Sequence, residues 1–153
     1  MKKGLGDKQE SRTLAIHPDN KGKHTLLGID EKGVTTANIP VTTLDLALKE
    51  IGSPKIDLMK IDIEGWEAKA LRGAKETIQA HHPIIMFEFA PHRISAAGDD
   101  PLLMLHELED EEYTLFVVDE DHDTLLPLDP QKLLSSLSRS DAYVNILAEP
   151  RAT

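Results

Sequence analysis

Cysteine is absent from the chain, and with it go disulfide frameworks, thiolate zinc sites, iron–sulfur ligation and cysteine nucleophiles. The absence leaves the redox compartment open, and a reducing cytoplasm is the simpler expectation. Long apolar runs are missing too. Nothing approaches the roughly 20 residues of a membrane-spanning helix, and Met1-Lys2-Lys3 is followed by Gly-Leu-Gly-Asp7 rather than by the apolar stretch of a signal peptide. The chain is therefore expected to be soluble and unexported. Positive charge is the third deficit. Seventeen Lys and Arg face 27 Asp and Glu, a formal net charge of −10, which argues against nucleic acid or an anionic membrane as a partner, since both demand surplus cations. The imbalance is uneven: the first 23 residues carry +3 and the remainder −13. A small basic tip is one reading of that leading stretch, and a solvated loop is the simpler one.

What remains is a chain of 153 residues, 40% hydrophobic and 29% charged, which suits one domain with a single core. Without internal repeats, period and punctuation carry the reading. Turn clusters at Gly4–Asp7, Pro18–Gly22 and Asp30–Gly33 divide the first third, and the segments around Thr13–Ile16 and His24–Ile29 suit hairpins. Then the period changes. Thr42–Asp45 fits a capping pattern, Leu44, Leu48 and Ile51 follow at helical spacing, and Gly52 with Pro54 closes the segment.

Ile56–Ile61 reads as a strand ending in Asp62-Ile-Glu-Gly65, after which Trp66, Ala70, Leu71, Ala74 and Ile78 mark one face of a single helix. Asp62, Glu64 and Glu67 stand at its start and Lys69, Arg72 and Lys75 later, as the helix dipole prefers. Gly73 inside this helix costs about 1 kcal/mol relative to alanine, so a close helix-to-sheet contact is expected there. Ile84–Ala90 is apolar on both faces and predicts a covered, parallel strand. Asp100-Pro101 opens a helix to about Glu111 with Leu102, Leu105 and Leu108 inward. Tyr113–Val118 and Thr124–Leu128 predict a hairpin across an acidic turn, and Ala142–Leu147 a last strand. The order is that of an α/β domain.

In open α/β sheets ligands sit beyond the carboxyl ends of the strands, and two such ends are visible, Asp62–Gly65 and Glu88–His92. Glu88 lies within Ile-Ile-Met-Phe-Glu-Phe. Burial without a partner would cost about 2–7 kcal/mol or more, so a partner or an open cleft is required. Asp62 is a second candidate, its plain alternative being a loop carboxylate that holds backbone amides. Glu64 reads first as a charge stabilising a helix start and second as a site residue. His81 and His82 precede the strand, whose roughly 20 Å length separates them from its far end; His92 lies beyond it, with an ordinary surface residue as the alternative.

Other signatures fail. Asp119–Asp123 has the alternating oxygens of a calcium loop, but its sixth place is Thr124 and its twelfth Pro130, where glycine and glutamate are needed. A solvated turn and no metal site are expected. Gly-x-Ser-x-Gly, His-Glu-x-x-His and phosphate-loop patterns are missing, and Gly4-Leu-Gly6 is too near the terminus to follow a strand.

Val41-Thr-Thr-Leu-Asp45, Ile56-Asp-Leu-Met-Lys-Ile-Asp-Ile-Glu-Gly-Trp-Glu67, Leu71-Arg-Gly-Ala74 and Pro83-Ile-Ile-Met-Phe-Glu88, in this order and spacing, resemble the FkbM family of S-adenosylmethionine-dependent methyltransferases. The resemblance is strong over residues 41–92 and looser elsewhere. It implies a class I methyltransferase fold, a Rossmann-like seven-stranded sheet with a reversed last strand, and O-methylation of a small-molecule, sugar or lipid acceptor. In that family a first strand with its glycine-rich cofactor loop precedes the region matching Gly4–Asp7. This chain is thus expected to be one truncated domain: a hairpin-like leading segment over 1–40 and, over 41–153, the C-terminal half of the sheet. Asp62 and Glu88, with Glu64, are the implied catalytic candidates for positioning the acceptor or removing its proton, and His92 the implied substrate contact. Inactivity alone, an open sheet edge, marginal stability, and either self-association, pairing of the leading hairpin against that edge, or completion by an N-terminal half on another chain are the corresponding expectations. A non-enzymatic module whose acidic cleft holds a basic partner or a cation is the competing one.

Overall fold

A computed structural model describes residues 3–16, 26, 34–139 and 141–151. Two sheets organise it. The smaller, ordered β1-β3-β2, is built from β1 (Gly4–Leu5), β2 (Glu10–Ile16) and β3 (Thr35–Thr42). β2 and β3 run antiparallel from Glu10↔Val41 to Ile16↔Thr35, and β1 lies parallel to β3. The partner of the Thr13–Ile16 segment is therefore β3; the His24–Ile29 hairpin segment, apart from Leu26, and the turn clusters Pro18–Gly22 and Asp30–Gly33 lie outside the described residues.

The chain then enters α1 (Leu44–Glu50). The cap is Thr43, one residue later than the sequence pattern suggests: its Oγ1 accepts the Leu46 N–H at 3.2 Å. Asp45 is thereby released from a capping box and reaches across to α3 (Lys75–His81), accepting the Glu76 and Thr77 amides at 3.0 and 2.9 Å and the Thr77 hydroxyl at 2.6 Å. Between them stands α2 (Glu67–Arg72). The expected single helix is broken at Gly73–Ala74 because the Gly73 carbonyl accepts from Asp45 N–H and the Ala74 amide tightens to Leu71 O. A Cβ on Gly73 would overlap the Gly6 carbonyl oxygen. The close approach required of this glycine is real, but it is made to the loop after β1, whose Gly6 amide is tied to Thr42 O at 2.9 Å.

The larger sheet has the order β4-β5-β8-β6-β7. Its strands are β4 (Leu58–Ile61), β5 (Ile84–Phe89), β6 (Tyr113–Asp119), β7 (Thr124–Pro127) and β8 (Val144–Pro150). β4 and β5 are parallel, while β8 inserts antiparallel between β5 and β6. The protein is α/β with mixed sheets. One face carries the core, where Met59, Ile85, Phe87, Ile146 and Leu115 meet Ala68, Leu71, Ile78, Ile94 and Leu105 from the helices. The prediction that β5 is covered on both faces is corrected: Ile85, Phe87 and Phe89 are buried, whereas Ile84 is exposed and Met86 and Glu88 are half-buried. The buried core contacts of β5 come from its Ile85, Phe87 and Phe89 side, while Glu88 on the other side meets Arg93 of the helix that follows the strand.

β4 is an edge strand, and the leading sheet does not pair with it among the described residues. The expected docking of the early hairpin on this edge is thus not seen. Three more helices complete the chain: α4 (Pro91–Ala96), α5 (Pro101–Asp110) and α6 (Pro130–Ser136). Asp100 caps α5 through the Leu102 and Leu103 amides, with Met104, Leu105 and Leu108 buried and Leu102 half-buried. The Tyr113 hydroxyl donates to Pro83 O at 2.9 Å and fastens the start of β6 to that of β5; burial pushes it up to about 12. The acidic Asp119–Asp123 stretch is a turn closed on itself, Asp119 Oδ1 accepting from the Asp121 and His122 amides. No helix among the described residues is long and apolar enough to cross a membrane.

Candidate functional site

The carboxyl ends of β4 and β5 lie side by side because the two strands are parallel and in register from Leu58↔Ile84 to Ile61↔Phe87. Beyond β4 the chain turns at Asp62–Gly65, with Glu64 at φ +58° and Gly65 at φ +97°. Beyond β5 it enters α4, opened by Pro91 in the first turn. The two turns are pressed together. A Cβ on Gly65 would stand 2.8 Å from the Arg93 carbonyl group, so only glycine fits.

Arg93 joins the carboxylates. Its Nη1 forms an ion pair with Glu64 Oε2 at 2.6 Å and donates to Glu88 Oε1 at 2.7 Å. Both acids are mostly covered, with 18% and 16% of their side chains accessible, so the single guanidinium answers the cost of placing Glu88 in an apolar strand. Burial raises the Glu88 carboxyl above the usual carboxylate range. Arg93 opposes this, and the charges of Asp62 and Glu64 add to it. Asp62 stands at the rim, about half exposed, 3.5 Å from Lys60.

The structure thus brings Glu64 and Glu88 onto one cation with Asp62 electrostatically close. His92 is placed differently: its Nε2 faces the Ser138 carbonyl at 3.3 Å, and the ring lines a separate cleft of about 580 Å³ with Ser95, Asp99 and Leu137. Asp99 itself is held by Lys69 and Arg72, and although burial opposes it, their hydrogen bonds keep its carboxyl below the usual range.

Two residues escaped sequence reasoning. Arg93 carries no motif, although a cation five positions after a buried acid is a searchable signal. Glu67 was legible only as a charge at a helix start; it is 1% exposed, accepts the Ile63 amide on Oε1 at 2.9 Å, and is pushed by burial up to about 7. Among the described residues no group of three or more His, Asp or Glu is placed to hold a metal ion.

A family model described as the methyltransferase FkbM domain matches residues 3–115. The chain belongs to the FkbM methyltransferase family. No match was found among curated proteins or among solved structures. The FkbM match runs from the leading sheet into β6 and includes every residue of the carboxylate cluster. FkbM methyltransferases generally use S-adenosylmethionine. Among the described residues Gly65, the one positive-φ glycine between a strand and a helix, is filled by the Arg93 backbone, and Gly52 and Gly98 follow helices.

Proposed function

We propose that Asp62, Glu64, Glu88 and Arg93 form the acceptor side of an S-adenosylmethionine-dependent O-methyltransferase acting on a hydroxyl or carboxyl of a small molecule, sugar or lipid. The observation that carries this reading is the convergence of two part-buried carboxylates on Arg93 at the ends of adjacent parallel strands, within the family match. The order β4-β5-β8-β6 with β8 reversed supports a Rossmann-like reading of this half of the sheet. Chemically, Glu88 accepts the proton of an acceptor hydroxyl. Its desolvated position makes it a stronger base than a surface carboxylate, and Arg93 keeps it ionised and fixed in direction. Asp62, at the rim, positions the acceptor's remaining polar groups. The methyl donor is held, in this reading, by a glycine-rich turn that the described residues do not supply, and activity depends on that turn.

Calorimetric titration with S-adenosylhomocysteine tests the assignment. The expected result is no saturable binding to the chain alone and saturable binding once a segment carrying that turn completes the sheet. In the completed enzyme Asp62→Asn should lower turnover more than it weakens cofactor binding. A completed, folded protein that neither binds the nucleoside nor loses turnover on this substitution overturns the reading.

A further inference from the structure

Between the two turns of the site lies a group that the mechanism above leaves unused. The Glu67 side chain is buried, with one oxygen on the Ile63 amide and the other, Oε2, without a hydrogen-bond partner among the described residues. Ile63 is the residue before Glu64, which holds a left-handed φ of +58° that costs a non-glycine residue of order 1 kcal/mol or more. On the other side the turn is stopped by the Arg93 backbone against Gly65. The turn is therefore clamped from both sides, by a carboxyl group and by a helix backbone.

We infer that Glu67 is a positioning residue, whose carboxyl group holds the Ile63 amide and so fixes the left-handed turn that presents Glu64 to Arg93. It deepens the methyl-transfer reading, on which the purpose of the cluster rests, though the clamp itself is independent of it. The charged group that acts on Glu67 is Glu88 from β5, itself paired with Arg93 from α4; next to Glu67 in sequence, Trp66 carries Lys69 and Arg12 of β2 over its ring, at 4.7 and 5.4 Å. Burial raises Glu67, the amides of Ile63, Glu67 and Gly65 oppose this, and Glu88 raises it further, bringing it to about 7. A proton on this carboxyl is thus exchanged near neutrality directly beneath the turn.

Amide-resolved NMR of the whole chain between pH 5 and 9 tests the clamp. The Ile63 amide is expected to titrate with a midpoint near 7 in the wild type, and Glu67→Gln, which keeps the acceptor oxygen, to abolish that titration while preserving the pH 5 shifts of residues 63–65. Glu67→Ala should move those amides, speed Ile63 hydrogen exchange by about tenfold or more and disturb the Arg93 guanidinium signals. A Glu67→Ala protein too unstable to record leaves the wild-type and Gln titrations to decide. An Ile63 titration that survives in Glu67→Gln, or is absent from the wild type, overturns the inference. Failure to bind S-adenosylhomocysteine leaves these readouts untouched and counts against the methyl-transfer reading alone.

Discussion

Arg93 answers two acids with one Nη1, and removing it leaves both Glu64 and Glu88 covered and without that counter-charge. Arg93→Leu is expected to destabilise the fold by about 1–3 kcal/mol in urea unfolding, with most of the loss recovered by a second substitution, Glu88→Gln. A cycle showing no coupling contradicts the shared-cation geometry. Glu67 supplies a pH test. Its folded-state value, near 7, lies above the ordinary 4.5, so the native state holds this proton over a window in which the unfolded chain has lost it. The associated stability is full below about pH 4.5 and is lost as pH rises through 7, about 3 kcal/mol in all. Unfolding free energies of Glu67→Gln relative to wild type should shift in favour of the variant by about that amount between pH 4.5 and 8. A constant difference rules the buried titration out.

Elements whose ends carry local chemistry were legible in the sequence: α5 from Asp100-Pro101, β4 from its apolar run, and the β6–β7 hairpin from its acidic turn. α6 carries the same signal in Asp129-Pro130, with Asp129 accepting the Lys132 amide at 3.0 Å, but it is a short helix between two strand patterns that dominate the periodicity there. The break between α2 and α3 was illegible, because the helical period runs straight through Gly73 and only the distant Gly6 and Asp45 interrupt it. Helix propensity alone makes Gly73→Ala stabilising by about 1 kcal/mol. The overlap with Gly6 reverses the sign: a net loss of about 1–3 kcal/mol is expected in thermal unfolding, with faster proteolysis of the leading sheet. Asp45→Ala, which strips two amides and a hydroxyl of their acceptor, should cost about 1–2 kcal/mol. The pairing of Glu64 with Glu88 was illegible for a related reason: their separation in sequence is bridged by a residue, Arg93, that belongs to neither strand end's motif.

At the scale of the molecule, the larger sheet ends at β4 among the described residues, where Leu58 is 63% exposed beside the exposed Ile84. Such an edge is a template for another strand. Purified chain is expected to self-associate in sedimentation velocity, and Leu58→Lys to shift it toward monomer; a wild-type monomer at all concentrations contradicts this. The placing of β8 has a different consequence, one of timing. The last of the described strands in chain order lies between β5 and β6, so during synthesis those two strands wait, unpaired along their facing edges, until Val144–Pro150 has left the ribosome. Assembly of this sheet is therefore a late event, since β5 and β6 keep their facing edges open from the time they are made until β8 is available.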